Sequence, residues 1–133
     1  MPHVSKIKLD KRLETQLFNS LETALGKLSK EETKAFLLSL ISPTERLMLA
    51  KRLAVVILLK EDVPIGTIAS TLHVTKETVG RIHLQSQVRG DGYNIVFNKL
   101  QNEKFLKDFK SFLLKLAGYS IRASTGYVKP EIL

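Results

Sequence analysis

The 133-residue sequence contains no cysteine and no tryptophan, and it has only four prolines. The absence of cysteine excludes disulfide frameworks, thiol nucleophiles, iron–sulfur clusters and cysteine-ligated zinc sites. The prolines are Pro2, Pro43, Pro64 and Pro130, which stand near the chain ends or at expected helix starts. This distribution favours long helices over a sheet.

Long apolar segments are also missing. The longest apolar run, Leu53 to Leu59, is far shorter than the roughly 20 residues of a membrane-spanning helix. No apolar segment of a secretory signal follows the basic N-terminus. We therefore expect a cytoplasmic protein with no membrane partner. The length of the chain suits a single domain, which we place over residues 1–118, followed by a flexible tail over residues 119–133.

Negative charge is comparatively scarce. Lys and Arg number 21 against 13 Asp and Glu, which gives a formal net charge of +8. Such an excess favours a polyanionic partner such as DNA, RNA or an anionic membrane surface. Most of it lies in the N-terminal segment up to Arg12 and after Lys99. Charge alone does not choose among these partners, and a solvated basic surface explains it equally well.

The N-terminal region carries a regular apolar stripe. A leucine recurs every fourth residue from Leu9 to Leu25, and Phe18 and Leu28 join the stripe. This spacing predicts an amphipathic helix that Gly26 weakens without ending. Because a helix with so apolar a face needs a partner surface, we expect the stripe to form a dimer interface.

Two capping boxes predict the next helix starts. Ser29 stands three residues before Glu32, and Ser42 stands three residues before Glu45 with a proline between them. In such a box the serine oxygen accepts a backbone N–H while the glutamate accepts the serine N–H. The patterns predict helices over about residues 30–41 and 43–60. The second is apolar nearly all round, which is typical of the buried centre of an all-helical fold.

Residues 64–85 match the pattern of a helix-turn-helix. A short helix over about 64–72 precedes a turn and a helix over 75–88, with Thr75 as N-cap. Apolar side chains stand where the two helices would pack on each other, namely Ile68, Leu72, Val74, Val79 and Ile82, with Ala69 at the crossing. His73 occupies the turn position that usually takes glycine. Histidine tolerates a positive φ better than most residues, so the departure leaves the motif intact.

The C-terminal half continues the helical pattern. Gly90-Asp91-Gly92 is expected to end the preceding helix through left-handed conformations. A further helix is predicted from Tyr93 to Ala117, broken near residues 101–102 and ended by Gly118. Its apolar face over residues 102–116 suits a core or dimer surface better than a membrane surface.

Two further segments carry a family resemblance. The stretch Leu40-Ile-Ser-Pro-Thr-Glu-Arg46 precedes the helix-turn-helix, and Asp91-Gly92-Tyr93 follows it. In this arrangement the chain from Lys34 to Leu100 resembles the Trp repressor family and its Trp-repressor-like bacterial relatives. The resemblance implies an all-α helical bundle that forms an intertwined homodimer. It also implies a sequence-specific transcriptional repressor whose second motif helix enters the major groove of double-stranded DNA.

The resemblance implies base contacts at Lys76, Glu77, Thr78 and Gly80, and we also expect DNA contacts at Thr75, Arg81 and His83. Lys76 would donate to guanine, Glu77 would accept from cytosine N4, and Thr78 would contact a base or a phosphate. Gly80 would only permit close approach, and the capped helix start favours a phosphate nearby. Arg81 and His83 would contact the DNA backbone. Surface capping is an alternative role for Glu77.

The resemblance also implies a candidate effector site at Ser42, Arg52, Thr78 and Arg81. The Trp repressor holds its amino-acid corepressor between two arginines, which correspond to Arg52 and Arg81. Here Ile82 stands where the family has glycine, so its larger side chain would intrude on the pocket. Gln85 stands where the family has serine. An amino-acid-like corepressor is thus one alternative. The other is a protein without a cofactor, whose two arginines bind phosphate or pair locally.

An enzyme is not expected. The histidines show no H-x-x-x-H spacing, so no metal site is predicted, and neither a Walker loop nor a G-x-S-x-G elbow is present. The main rival function is a helix-turn-helix used in replication or recombination, or for RNA or protein interaction, without gene regulation.

Overall fold

The structure, a computed structural model, describes residues 7–100 and 103–118. Every regular element in this part of the chain is an α-helix, in the order α1 Lys11–Gly26, α2 Lys30–Leu40, α3 Pro43–Lys60, α4 Ile65–Leu72, α5 Lys76–Val88, α6 Asp91–Leu100 and α7 Lys104–Leu116. The predicted all-helical class is confirmed. The predicted C-terminal tail, residues 119–133, lies outside the described residues.

The chain divides into two compact units, Met1–Arg46 and Leu47–Leu133. The first unit contains α1, α2 and the start of α3, and the second contains the rest of α3 and the helices that follow. The single domain expected over residues 1–118 stays a prediction.

Both predicted capping boxes are confirmed. The Ser29 hydroxyl accepts the Glu32 N–H at 3.2 Å, and the Glu32 carboxylate accepts the Ser29 N–H at 2.9 Å. The corresponding distances for Ser42 and Glu45 are 3.1 and 2.8 Å. The Ser42 backbone N–H, and then its hydroxyl, lower the pKa of the Glu45 carboxyl because they stabilise the carboxylate. These local bonds set where α2 and α3 begin.

The first unit has no buried side chain on α1 or α2. The stripe of α1 is exposed in the single chain, at Leu13 44%, Leu17 51%, Phe18 56%, Leu21 41% and Leu25 40%. The prediction that α1 continues past Gly26 is wrong. The N–H groups of Lys27 and Leu28 donate to the carbonyls of Ala24 and Leu25, which tightens the last turn, and the Ser29 box then starts α2.

The core of the second unit forms around the C-terminal half of α3. Residues 54–58 are all buried, with Val55 and Leu58 fully inaccessible. They pack in one cluster with Val63, Ile68, Ala69, Val79, Ile82, Leu106, Leu113 and Ala117. The expected burial of α3 is confirmed only for this half, because Leu47, Met48 and Leu49 are 57%, 54% and 47% exposed.

The segment between α5 and α6 corrects a prediction. Among the described glycines only Gly118 has a positive φ, of 80°, so Gly90 and Gly92 do not adopt left-handed conformations. Instead, Gly90 lies so close to the Ser86 carbonyl that a Cβ would clash with it. Gly92 lies inside α6, which begins at Asp91 and not at Tyr93.

The last described helix, α7, is part of the core. Leu106 and Leu113 are 4% and 3% exposed, and Lys110 pairs with Glu61 at 3.2 Å. Gly118 follows α7 as predicted. No helix of the described chain combines the length and the apolarity that crossing a membrane requires.

Candidate nucleic-acid interface

Helices α4 and α5 pack on each other as a helix-turn-helix. Ile68 and Val79 are fully buried between them, and Ala69 and Ile82 are 7% and 8% exposed. His73 connects the helices with φ 55° and ψ 50°, so the predicted positive φ at this position is confirmed. The bend of the motif therefore depends on one left-handed residue and a small apolar core.

A lysine outside the motif contacts the turn. The Lys51 Nζ of α3 donates to the His73 carbonyl oxygen at 3.5 Å. The ammonium group thereby satisfies a carbonyl at the carboxyl end of α4, where a positive charge is favourable. Sequence reasoning missed this residue, because nothing local to residue 51 indicates a partner so far along the chain.

The start of α5 is capped as predicted. The Thr75 hydroxyl accepts the Thr78 backbone N–H at 3.0 Å and donates to the Thr78 hydroxyl oxygen at 2.8 Å. Thr78 is half-buried. Its hydroxyl thus takes part in the cap, while the N–H groups of the first turn stay directed towards the helix start.

Lys76, the first residue of α5, lies against the start of α4. A Cβ built on Gly66 would lie 3.5 Å from Lys76 Cε and 3.9 Å from Nζ. The Lys76 side chain is exposed, so its ammonium group is held near the surface at the point where the two helices begin. This position suits an anionic partner that approaches the motif from that end.

The outer face of α5 carries both charged and apolar side chains. Glu77 and Arg81 are exposed and lie one turn apart, so they share this face. Leu84 and Val88 continue it at 62% and 76% exposure. Sequence reasoning passed over these two, although their i+3 and i+7 spacing from Arg81 places them on the same face. The outward surface of α5 is thus charged at its start and apolar towards its end.

The other two predicted DNA-contacting residues lie elsewhere on α5. Gly80 is half-buried, and a Cβ there would meet no atom within 4 Å, so the space around it is open. His83 is half-buried and lines a concavity with Lys60 and Asn94. The structure therefore brings His83 towards α3 and α6 and does not group it with Glu77 and Arg81.

The predicted effector residues are only partly brought together. Arg52 and Thr78 line one concavity of about 520 Å³ with Val55 and Ile82. Arg81 is not among the side chains around it. Ser42 belongs to the first unit, where its hydroxyl caps α3.

A comparison with known families matches the chain to the one described as Trp repressor protein, over residues 15–101. The match covers more than half of the sequence and includes the whole helix-turn-helix. The chain belongs to the Trp repressor family. Comparisons with curated proteins and with solved structures returned no match.

The Trp repressor match confirms and extends the resemblance that begins at Lys34 in the sequence. It starts within α1 and ends one residue past α6, so α7 lies outside it. Trp repressor proteins are regulators that bind DNA and are not a family of enzymes. Membership therefore suggests DNA-binding transcriptional regulation for this chain.

Proposed function

We propose that the protein is a sequence-specific double-stranded DNA-binding transcriptional repressor that reads the major groove through α5. The observation that carries the proposal is the capped start of α5, where Lys76 is exposed beside a helix-turn-helix bend of the expected geometry. In motifs of this kind the first turns of the second helix contact base edges. No catalytic group is needed, and the cytoplasm is the compartment in which such a regulator meets DNA.

Base choice is assigned to the outer face of α5. Lys76 is suited to donate to guanine O6 and N7, and Glu77 to accept from cytosine N4. Arg81 would bind a phosphate, since its guanidinium is exposed on the same face. The apolar end of the face, at Leu84 and Val88, would suit thymine methyl groups.

We assign the part of the DNA affinity that does not depend on base sequence to the basic residues outside the helix-turn-helix. The helix-turn-helix itself contributes little to the net charge of +8, because Glu77 offsets one of the two positive charges of Lys76 and Arg81. The remaining lysines and arginines would contact phosphates and release counterions, which makes binding strongly dependent on salt.

The repressor is proposed to act as an intertwined homodimer. The apolar stripe of α1 is exposed in the single chain and would be covered by a second copy. A dimer presents two copies of α5 to two half-sites about one DNA turn apart. The amino-acid-like corepressor stays a prediction, with Arg52 and Thr78 as the two residues that share a concavity.

Selection of bound sequences from random duplex DNA tests the proposal. We expect a palindrome, and we expect Lys76→Ala to weaken binding to it by about 1–3 kcal/mol with little effect on random DNA. Lys104→Ala is the matched control, since Lys104 is exposed on α7 outside the family match. It should leave the ratio of selected to random affinity unchanged.

Two results would contradict the proposal. If Lys76→Ala kept the wild-type ratio of affinities, α5 would not read the bases as described. If structured RNA competed as well as the selected duplex, the rival function in RNA binding would replace it.

A further inference from the structure

A concavity of about 180 Å³ lies between α3, α5 and α6. Its polar lining comes from all three helices, with Lys60 from α3, His83 and Gln87 from α5, and Tyr93 and Asn94 from α6. None of the four residues expected to bind an effector lines it. The concavity is therefore distinct from the pocket that the family resemblance implies, and it gives His83 surroundings other than the outer face of α5.

The Lys60 ammonium group is held in place by two contacts with α6. Its Nζ donates to the Asn94 Oδ1 at 3.1 Å and lies 4.9 Å from the centroid of the Phe97 ring. A lysine side chain loses conformational entropy when it binds a ligand, and these contacts reduce that loss. In the part of the chain that the structure describes, Lys60 has no carboxylate partner, since the one salt bridge there joins Lys110 and Glu61.

The other polar side chains of the concavity have unused hydrogen-bonding capacity. The His83 imidazole, the Gln87 amide and the Tyr93 hydroxyl make no hydrogen bond to another described residue. Each of these groups can donate to a carboxylate oxygen. Val56, which is 2% exposed, and the half-buried Leu59 supply an apolar wall. Sites for small molecules typically combine such a wall with a few polar groups.

The charge of the lining favours a ligand with a single negative charge. Lys60 is the one lysine or arginine of the lining, and no aspartate or glutamate belongs to it. Lys60 would neutralise one carboxylate, whereas a phosphate group carries a charge of about −1.5 to −2 and would leave negative charge uncompensated. The apolar wall favours a carboxylate with a hydrocarbon part over an inorganic anion.

We propose that this concavity binds a small organic carboxylate, with the carboxylate on Lys60 and His83 and the hydrocarbon part against Val56 and Leu59. The inference goes beyond the proposed DNA recognition and does not rest on it, because no base-reading residue of α5 lines the concavity. The ligand would contact three helices of the second unit at once. Its binding therefore adds to the stability of the folded protein.

Titration of the full-length, DNA-free protein with benzoate tests the site, and benzamide serves as an uncharged analogue of the same shape. Amide resonances would be followed by NMR at constant, low ionic strength. We expect saturable binding of benzoate with a Kd below about 10 mM, and at least about tenfold weaker binding of benzamide. Inorganic phosphate should also bind more weakly than benzoate.

Asn94→Asp places a carboxylate beside Lys60 with almost no change of shape. This carboxylate competes with the ligand for the ammonium group, so benzoate binding should weaken at least about tenfold. Asn19→Asp is the matched control, since it makes the same change at an exposed residue of α1 in the first unit. Binding in this control should equal that of the wild type.

Lys60→Met should lose benzoate binding as well, and Asn94→Asp tests the site even if Lys60→Met does not fold. The amide spectrum of each variant checks its folding before titration. The proposal is overturned if benzamide binds as tightly as benzoate, if phosphate binds more tightly, if Asn94→Asp keeps the wild-type affinity, or if Asn19→Asp loses as much. A failure of sequence-specific DNA binding would leave these measurements in DNA-free protein unaffected.

Discussion

At the scale of single residues, Gly90 determines how the chain leaves α5. Gly90 follows α5 and lies against the carbonyl of Ser86, one turn back in that helix. Its backbone conformation is open to any residue, since φ is not positive. The requirement for glycine is therefore steric, because a methyl group would occupy the space of a backbone oxygen that cannot move without distorting α5.

Gly90→Ala should destabilise the protein by about 1–3 kcal/mol, because the chain must shift to relieve the clash. Urea unfolding followed by circular dichroism measures the change. Gly92→Ala is the control, since a Cβ there meets nothing within 4 Å and Gly92 lies inside α6. It should stabilise by up to about 1 kcal/mol. Equal effects of the two substitutions would refute the steric explanation.

Glu45 couples the start of α3 to pH. The lowered pKa of Glu45 means that the folded state favours its carboxylate. The cap therefore stabilises the folded state fully above the ordinary pKa of 4.5, and this stabilisation is lost as the pH falls through the lowered pKa. The Ser42 amide resonance should titrate below pH 4.5 in the wild type. In Glu45→Gln it should not titrate, and a wild-type resonance that stayed constant would show that the box is not formed.

At the scale of the elements, α4 and α5 are held together by a few fully buried side chains. Ile68 is 0% exposed whereas Ile65, one turn earlier on α4, is 38% exposed. The two residues are chemically identical and lie in the same short helix. Substitution of each isoleucine by alanine therefore separates the contribution of burial to stability from the contribution of helix propensity.

Ile68→Ala should cost about 2–5 kcal/mol, since it removes buried methyl groups and leaves a cavity. Ile65→Ala should cost less than about 1 kcal/mol. Denaturant unfolding of both variants measures the difference. If the two costs were equal, the helix-turn-helix would not be packed around Ile68.

At the scale of the whole molecule, the uneven distribution of buried apolar surface is the main feature. The second unit has a continuous core, whereas α1 exposes five large apolar side chains on one helix. An exposed apolar surface of this extent is typical of an interface between proteins. The net charge of +8 favours solubility, but it leaves the apolar surface of α1 exposed to water in the single chain.

The wild type should sediment as a dimer at micromolar concentration. Leu17→Glu should raise the dimer Kd at least about tenfold, because it places a charge in an apolar interface. Gln16→Glu introduces the same charge on an exposed polar residue of α1 and should leave the dimer intact. A monomeric wild type would contradict the intertwined homodimer.

The parts of this structure that depend on neighbouring residues could be predicted from the sequence. The starts of α2, α3 and α5 follow from Ser29, Ser42 and Thr75, and the bend follows from His73. All four depend on bonds or torsions within a few residues. The starts of these three helices and the bend of the helix-turn-helix therefore followed from local patterns.

Features that depend on distant contacts could not be predicted. The role of Gly90 depends on its approach to Ser86 after α5 has formed, and the Lys51 bond to His73 crosses between helices. Leu47, Met48 and Leu49 in the first half of α3 are exposed although they are as apolar as the buried residues 54–58, so side-chain apolarity does not separate the two groups. The concavity of Arg52 and Thr78 likewise exists only once α3 and α5 are packed.

The contribution of α7 to the core has a practical consequence for how this protein is divided. The family match ends at residue 101, yet Leu106, Leu113 and Ala117 fill the interior beside α3. A fragment trimmed to the limits of the family would retain the recognition helix and lose part of the surface on which the second unit packs. Its apolar interior would be open to water on that side, which favours aggregation. The family match therefore leaves out part of the core that the second unit forms.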